Sequence, residues 1–390
     1  MKKNLSLLKS NIYFFVALFL MLVIGLTRYD SEAGLNDFRL LLYLPDYSLG
    51  FCSRFLVGSV LSVFKKTFTV KWLTDYCVYV YIFTAFLTAF LFNALVKKTD
   101  EKYRNAVALS GLMVMAMAVG FGYFAYWLGM TDIYWFIFTL LALACLKNRY
   151  LRWLFPVFSF LCIANHYMAA IFVFPVFAAV MMMETEDNPK DKKTTALLVL
   201  TIAVSVLSGI YFVFFATKTV TVPMEEAQRY LNSKLAVDQR PTLFYMYGKA
   251  RYETVNTFSG IIREATSENI SEFNAKKFFS FLTSMLPIMS VFSSVYFFAF
   301  KKANHFPGKI TCVLCVLFNI VPFAVSVVSS DYIRWFSLLV ISQTLIILYL
   351  VYDRNEAICE GFGKISDFFA KNPVLLAAFG YITIIYSSRI

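Results

Sequence analysis

Carboxylates and guanidiniums crowd one stretch, Arg28–Phe64, RYDSEAGLNDFRLLLYLPDYSLGFCSRFLVGSVLSVF, directly after the first apolar run. Asp30, Glu32, Asp37 and Asp46 supply candidate proton acceptors and cation ligands; Arg28, Arg39 and Arg54 supply fixed cations. Ionisable groups beside a membrane segment are costly and mark functional sites by default. Asp30 and Glu32 are two residues apart, so extended backbone would turn both to one side. Like charges that close push one pKa upward, leaving one carboxylate to accept a proton and the other to hold a cation or a sugar hydroxyl. From Gly50 the stretch turns apolar, too short and interrupted to span, which fits an amphipathic or re-entrant segment in the interface. The plainer reading is a solvated loop with an interfacial anchor.

Four other places carry chemistry. Asp132 closes a turn, GMTD, and either caps the following helix or joins a site. His166, one of only two histidines, follows Asn165 inside a long apolar run. It is either a satisfied structural histidine or a group titrating near neutral pH, placed as a general base or a phosphate partner. Asp331 and Arg334 stand three apart at a helix start, as a cap and ion pair or as a site whose arginine fork grips a phosphate. Arg229, Arg240, Arg251 and Arg263 alternate with Tyr230, Phe244, Tyr245, Tyr247 and Tyr252, which suits sugar stacking with anion binding and equally a loop resting on headgroups. Cys312 and Cys315 form a C-x-x-C inside an apolar run with no second pair, so they read as packing residues. There is no P-loop, G-x-G-x-x-G, H-E-x-x-H or G-x-S-x-G, which argues against a nucleotide-driven motor or a membrane metalloprotease.

The elements that must position these groups are membrane helices. Of the 390 residues 59% are hydrophobic and 15% charged, with 43 Phe and 24 Tyr. Apolar runs near 20 residues, separated by short charged joints, predict an all-α polytopic integral membrane protein rather than a barrel. The net charge of +12 then reports topology and anionic lipid, not nucleic acid. Lys2, Lys3 and Lys9 precede the first span and predict a retained anchor with a cytoplasmic N-terminus.

Charge also decides the fold of Trp153–Met183, about 31 nearly unbroken apolar residues. One helix would be about 46 Å long against a hydrocarbon core of roughly 30 Å. Read as a hairpin with Asn165-His166 at its tip, it puts every later basic joint inside: Lys190–Lys193, Lys301, Lys302, Lys309, Arg354 and Lys364. The result is one integral domain, 1–390, of about eleven spans, with a first outer loop and interfacial helix at 28–73 and a larger folded outer loop at 217–277. It also gathers Asp30, Glu32, Asp37, Asp46, Asp132, Asn165, His166, Asp331 and Arg334 at the outer face.

On Asp30-Ser31-Glu32, the amphipathic Gly50–Gly58 (GFCSRFLVG) and Gly129-Met130-Thr131-Asp132, the chain resembles the polytopic, lipid-carrier-dependent glycosyltransferases of the GT-C class. Through its arginine-bearing outer loop it is similar, more loosely, to bacterial O-antigen and exopolysaccharide polymerases. The resemblance implies a GT-C-like fold at the bacterial inner membrane and a polyprenyl-phosphate-linked sugar donor. It also implies a glycan or lipid acceptor and catalysis at the outer face in cell-surface glycan assembly. Asp30 and Glu32, with His166, become the catalytic candidates; Asp37, Asp46, Arg54, Asp132, Asp331 and Arg334 become the substrate-binding ones. The family's acids are more often adjacent than Asp-x-Glu, so dependence on a divalent cation, Mg or Mn, stays open. The rival classes are a lipid-linked sugar transporter or flippase, which would want broken helices in both halves and polar groups near the midplane, and a non-catalytic assembly or immunity-type membrane protein.

Overall fold

The computed structural model describes residues 11–28, 35, 37–187, 189–219, 221–236, 275–326 and 331–386. Asp30, Glu32 and most of the second loop, 217–277, including Arg240, Arg251 and Arg263, lie outside them. Helix α1 is Ile12–Arg28; the first loop then carries two short helices, α2 (Asp37–Leu40) and α3 (Leu56–Phe64). Helices α4 (Val70–Lys98) and α5 (Glu101–Ala116) follow, then the short α6 (Gly122–Tyr126) and α7 (Asp132–Leu146). Next come α8 (Phe155–Asn165), α9 (Ala169–Phe172), α10 (Phe174–Asp187) and α11 (Lys192–Ile210). The second loop contributes α12 (Met224–Lys234). The chain finishes with α13 (Ala275–Lys302), α14 (Phe306–Phe318), α15 (Val321–Ser326), α16 (Tyr332–Tyr352), α17 (Glu356–Lys371) and α18 (Pro373–Gly380).

The described secondary structure is helical apart from one isolated bridge, Phe68 to Leu235. Five described segments are long and apolar enough to cross a membrane: Val70–Lys98, Ala169–Asp187, Lys192–Phe215, Phe306–Ser326 and Tyr332–Tyr352. Shorter apolar helices cover Ile12–Thr27, Asp132–Leu146, Leu151–Asn165 and Pro373–Ile384. These are the features of an all-α membrane protein. Helix boundaries follow local chemistry. The Thr69 and Asn355 side chains accept the Trp72 and Ile358 amides at the starts of α4 and α17. Lys97 and Lys98 close α4 where the helix dipole favours cations. Where α5 ends, the Phe121 amide reaches back to the Val114 carbonyl, and a Cβ on Gly120 would lie 1.9 Å from that oxygen. Only glycine lets the chain reverse there.

The apolar run Trp153–Met183 folds back on itself. The Phe155 ring, at the start of α8, lies 4.6 Å from the Phe177 ring in α10. One continuous span would hold them about 33 Å apart at 1.5 Å per residue. This hairpin sets which groups share an end of the bundle. At one end meet the C-terminus of α7, the base of the hairpin and the α16–α17 joint. There Lys147 pairs with Asp353 and with Glu184 (3.4 Å), and Asn355 donates to Asp187 at 2.9 Å. The opposite end has the start of α7, the hairpin tip and the start of α16, and so Asp132, His166 and Arg334.

Helix α16 is the centre of the molecule. All its residues except Ile333, Leu345 and Tyr352 are buried, so it has no lipid-facing stripe. Polar bonds fix it against its neighbours. Gln343 donates to the Cys315 carbonyl (2.7 Å) and to Asn319 (3.0 Å) and accepts from Tyr296 (2.7 Å). Ser342 donates to the Phe172 carbonyl at 2.8 Å. Between apolar helices in lipid such bonds are worth about 0.6–2 kcal/mol each. The C-x-x-C thiols are buried and unlinked in this packing.

Candidate functional site

Arg54 reaches the site from a loop under tension. Its backbone is left-handed (φ 72°), a conformation that costs a non-glycine residue on the order of 1–3 kcal/mol. Tertiary bonds hold it. The Arg54 amide donates to the Ala164 carbonyl of α8 at 3.1 Å, the Phe51 amide to Thr219 Oγ1 at 2.8 Å, and the Cys52 thiol to the Ala216 carbonyl at 3.2 Å. The side chain runs past Tyr167, 5.8 Å from that ring's centre, and places Nη2 2.7 Å from Nε2 of His166.

His166 ends α8 in extended backbone, and this break makes the hairpin tip. It is buried, stacked on Tyr167, and the Met168 amide donates to its Nδ1 at 3.1 Å. Each ring nitrogen faces a donor, and the neutral ring has a single lone pair to offer them, so none is left over for a general base in this geometry. Its neighbour Asn165 is fully buried; its amide donates to the Thr131 carbonyl at 2.7 Å, and its Oδ1 has no partner among the described residues.

Asp132 does not act as a cap. Thr131 holds the N-cap position of α7, and the two Asp132 carboxylate oxygens go elsewhere. One accepts from Arg334 Nη2 at 2.8 Å, the other from the Tyr123 hydroxyl at 2.6 Å. Asp331 stands at the N-cap position of α16 without a side-chain capping bond and lies 3.8 Å from Arg334 Nη1. Arg334 is buried, its guanidinium 5.1 Å from the Trp335 ring centre, which in turn stacks on Phe172. Its Nε is buried with no partner among the described residues. The charges of Arg54, Arg334, Asp132 and Asp331 all interact, so the two arginine pairs form one electrostatic neighbourhood.

Comparisons with protein-family models, curated proteins and solved structures find no match.

Asp46 stands apart from this group. It is paired with Lys234 of α12 and accepts from the Tyr230 hydroxyl (2.6 Å), Ser62 (3.0 Å) and the Ser48 amide (2.9 Å). Burial pushes its pKa up, but hydrogen bonds from Lys234, Ser48 and Tyr230 outweigh it and hold the carboxyl well below the usual range. Asp46 thus clasps the first loop to the second. Arg229 is exposed and bonds its own helix, through the Glu225 carbonyl. The side chain of Asp37 lies outside the described residues, as do Asp30 and Glu32, and with them any cation site those acids would form.

Of the residues the sequence singled out, the structure brings together Arg54, Asp132, Asn165, His166, Asp331 and Arg334. It adds Tyr123, Tyr167 and Trp335, which nothing in one sequence distinguishes from the many other aromatics. Two guanidiniums, that of Arg334 with a buried Nε that has no hydrogen-bond partner among the described residues, thus gather beside the carboxylates of Asp132 and Asp331. Guanidinium donors suit an oxyanion, above all a phosphoryl group, which arginine meets with two parallel bonds.

Proposed function

We propose that the chain is a GT-C-like membrane glycosyltransferase that takes a sugar from a polyprenyl-phosphate carrier at the outer face of a bacterial inner membrane. The observation that carries the reading is the buried meeting of Arg54–His166 with Arg334–Asp132–Tyr123, drawn from four sequence-distant segments to one end of the bundle. The opposite end holds the basic joints Lys147, Arg152, Lys302 and Arg354, which the positive-inside rule assigns to the cytoplasm. The donor end is then outer, the N-terminus cytoplasmic, and the four shorter apolar helices together with α5 and α13 bring the five long segments to about eleven spans.

In the reaction, an acceptor hydroxyl on a glycan or lipid attacks the anomeric carbon as the bond to the carrier phosphate breaks. Arg54 and Arg334 stabilise the departing phosphate; Asp132 and Tyr123 aim Arg334. Asp30, with Glu32 beside it, takes the hydroxyl proton, and a cation held by that acid pair would add charge stabilisation. Asp331, 3.8 Å from Arg334 Nη1, would help to hold that guanidinium, and Asp37 remains a candidate on the acceptor side. The test is reconstitution in vesicles with a labelled lipid-linked sugar. The wild type releases polyprenyl phosphate and extends the acceptor; Arg54→Lys and Arg334→Lys each lose at least tenfold, because a point charge lacks the bidentate grip. Movement of intact lipid-linked sugar across the bilayer without phosphate release would assign the chain to transport instead.

A further inference from the structure

His166 meets a hydrogen-bond donor at each ring nitrogen. Nδ1 faces the Met168 amide at 3.1 Å and Nε2 faces an Arg54 guanidinium nitrogen at 2.7 Å. A guanidinium and a backbone amide only donate, whereas a neutral imidazole offers one lone pair and one N–H. The imidazolium is worse, since it presents a proton to both donors. Flipping the ring exchanges nitrogens for carbons on both sides and satisfies neither. Stacking on Tyr167 (5.2 Å, 29°) and the extended backbone at the end of α8 keep the ring in this plane. One contact must therefore always be unmade.

We infer that His166 is a tautomeric holder of Arg54, which it releases when an oxyanion enters. The inference rests on reading this cluster as a phosphate site. In the empty site the shorter, charge-assisted contact wins: Nε2 is bare and accepts from Arg54, and the proton sits on Nδ1 against the Met168 amide. When a phosphoryl oxygen arrives, Arg54 turns its donors to it. Nδ1 gives a proton to water and Nε2 takes one from water, so the ring stays neutral. Nδ1 then accepts the Met168 amide, and Nε2–H becomes a further donor to the same anion. His166 is thus a positioning residue in the empty state and a binding group in the occupied one. Among the described residues, the charged groups in its surroundings are Arg54 and Arg334, with Asp132 and Asp331 acting on Arg54, and neither carboxylate hydrogen-bonds the ring.

Imidazole ¹⁵N shifts distinguish the two tautomers directly. His305 is the other histidine, so the full-length His305→Gln protein, labelled at histidine in lipid nanodiscs, reports His166 alone. Farnesyl phosphate is the probe, inorganic phosphate tests whether the headgroup suffices, and farnesol controls for the chain; ³¹P spectra show binding independently. The expected result is an Nδ1–H ring that moves toward Nε2–H by about tenfold or more in tautomer ratio with farnesyl phosphate, the factor set by one hydrogen bond to a charged group. Farnesol should leave the ring unmoved. If ³¹P shows farnesyl phosphate bound while the ring keeps its tautomer, the inference falls and the phosphate site stands. If neither phosphate binds, both fall. If inorganic phosphate alone shifts the ring equally, the inference holds and the cluster reads the phosphoryl group rather than the lipid.

Discussion

Asp132 and Arg334, at the first turns of two different helices, bury a 2.8 Å charged hydrogen bond between them, and Tyr123 occupies the second carboxylate oxygen. Both charged side chains are more than nine-tenths buried. Removing one partner of such a pair leaves an uncompensated buried charge, which costs about 3–5 kcal/mol. Arg334→Leu should therefore lower the melting temperature in detergent sharply. Tyr123→Phe removes one neutral donor to a charge and should cost about 1.5–3 kcal/mol. The double variant Asp132→Leu/Arg334→Leu should be more stable than Arg334→Leu alone. If Arg334→Leu melted with the wild type, the pair would not carry this energy.

The hairpin predicts accessibility. Asp331→Cys, at the Arg334 end, should react with a membrane-impermeant maleimide added outside intact cells, and Lys302→Cys should not. Both positions are partly exposed, so burial does not decide the result. The reverse pattern would invert the assignment of outer and inner ends.

The Asp46–Lys234 clasp should make stability depend on pH. The folded-state pKa of Asp46 is depressed, so its contribution is fully present above the ordinary carboxylate range. It is lost as pH falls through that range toward the folded-state value. Melting followed downward from pH 6 should show the wild type losing stability faster than Asp46→Asn. At pH 7 the variant should be about 3 kcal/mol less stable, from the buried Lys234 left behind. Parallel curves would remove Asp46 as the titrating group.

The base is tested at the first loop. Asp30→Asn keeps size and hydrogen bonding but cannot take a proton, so sugar transfer should stop while expression and melting stay near wild type. Glu32→Gln is the companion variant. Transfer at the wild-type rate in a well-expressed Asp30→Asn protein removes Asp30 from the mechanism; silence of both variants would sink the carboxylate-base scheme.

How much of this was legible depended on range. Helical membrane character followed from run length, and the hairpin from the parity of Lys and Arg between runs, because both are summed along the chain. The gathering of Asp132, His166 and Arg334 followed from that parity. Their pairings did not: Asp132 was as plausible a cap as a site residue, and only the approach of α16 shows its carboxylate turned to Arg334. Asp46 was grouped with the site as one of the carboxylates of the first loop, yet Lys234, 188 positions later, captures it. Tyr123 carried no signal, since one hydroxyl among 24 tyrosines acquires meaning only from the carboxylate it faces.

The central position of α16 has a consequence for biogenesis. This helix is synthesised after most of the bundle, yet it fills the middle of it and brings Arg334 to Asp132. Until residues 332–352 leave the ribosome, the earlier helices surround a gap, and Asp132 and Tyr123 lack their cation. Membrane insertion and final packing are therefore separated in time. A nascent chain arrested before residue 331 should be recognised by quality-control proteases, and supplying the 331–390 segment in trans should protect it.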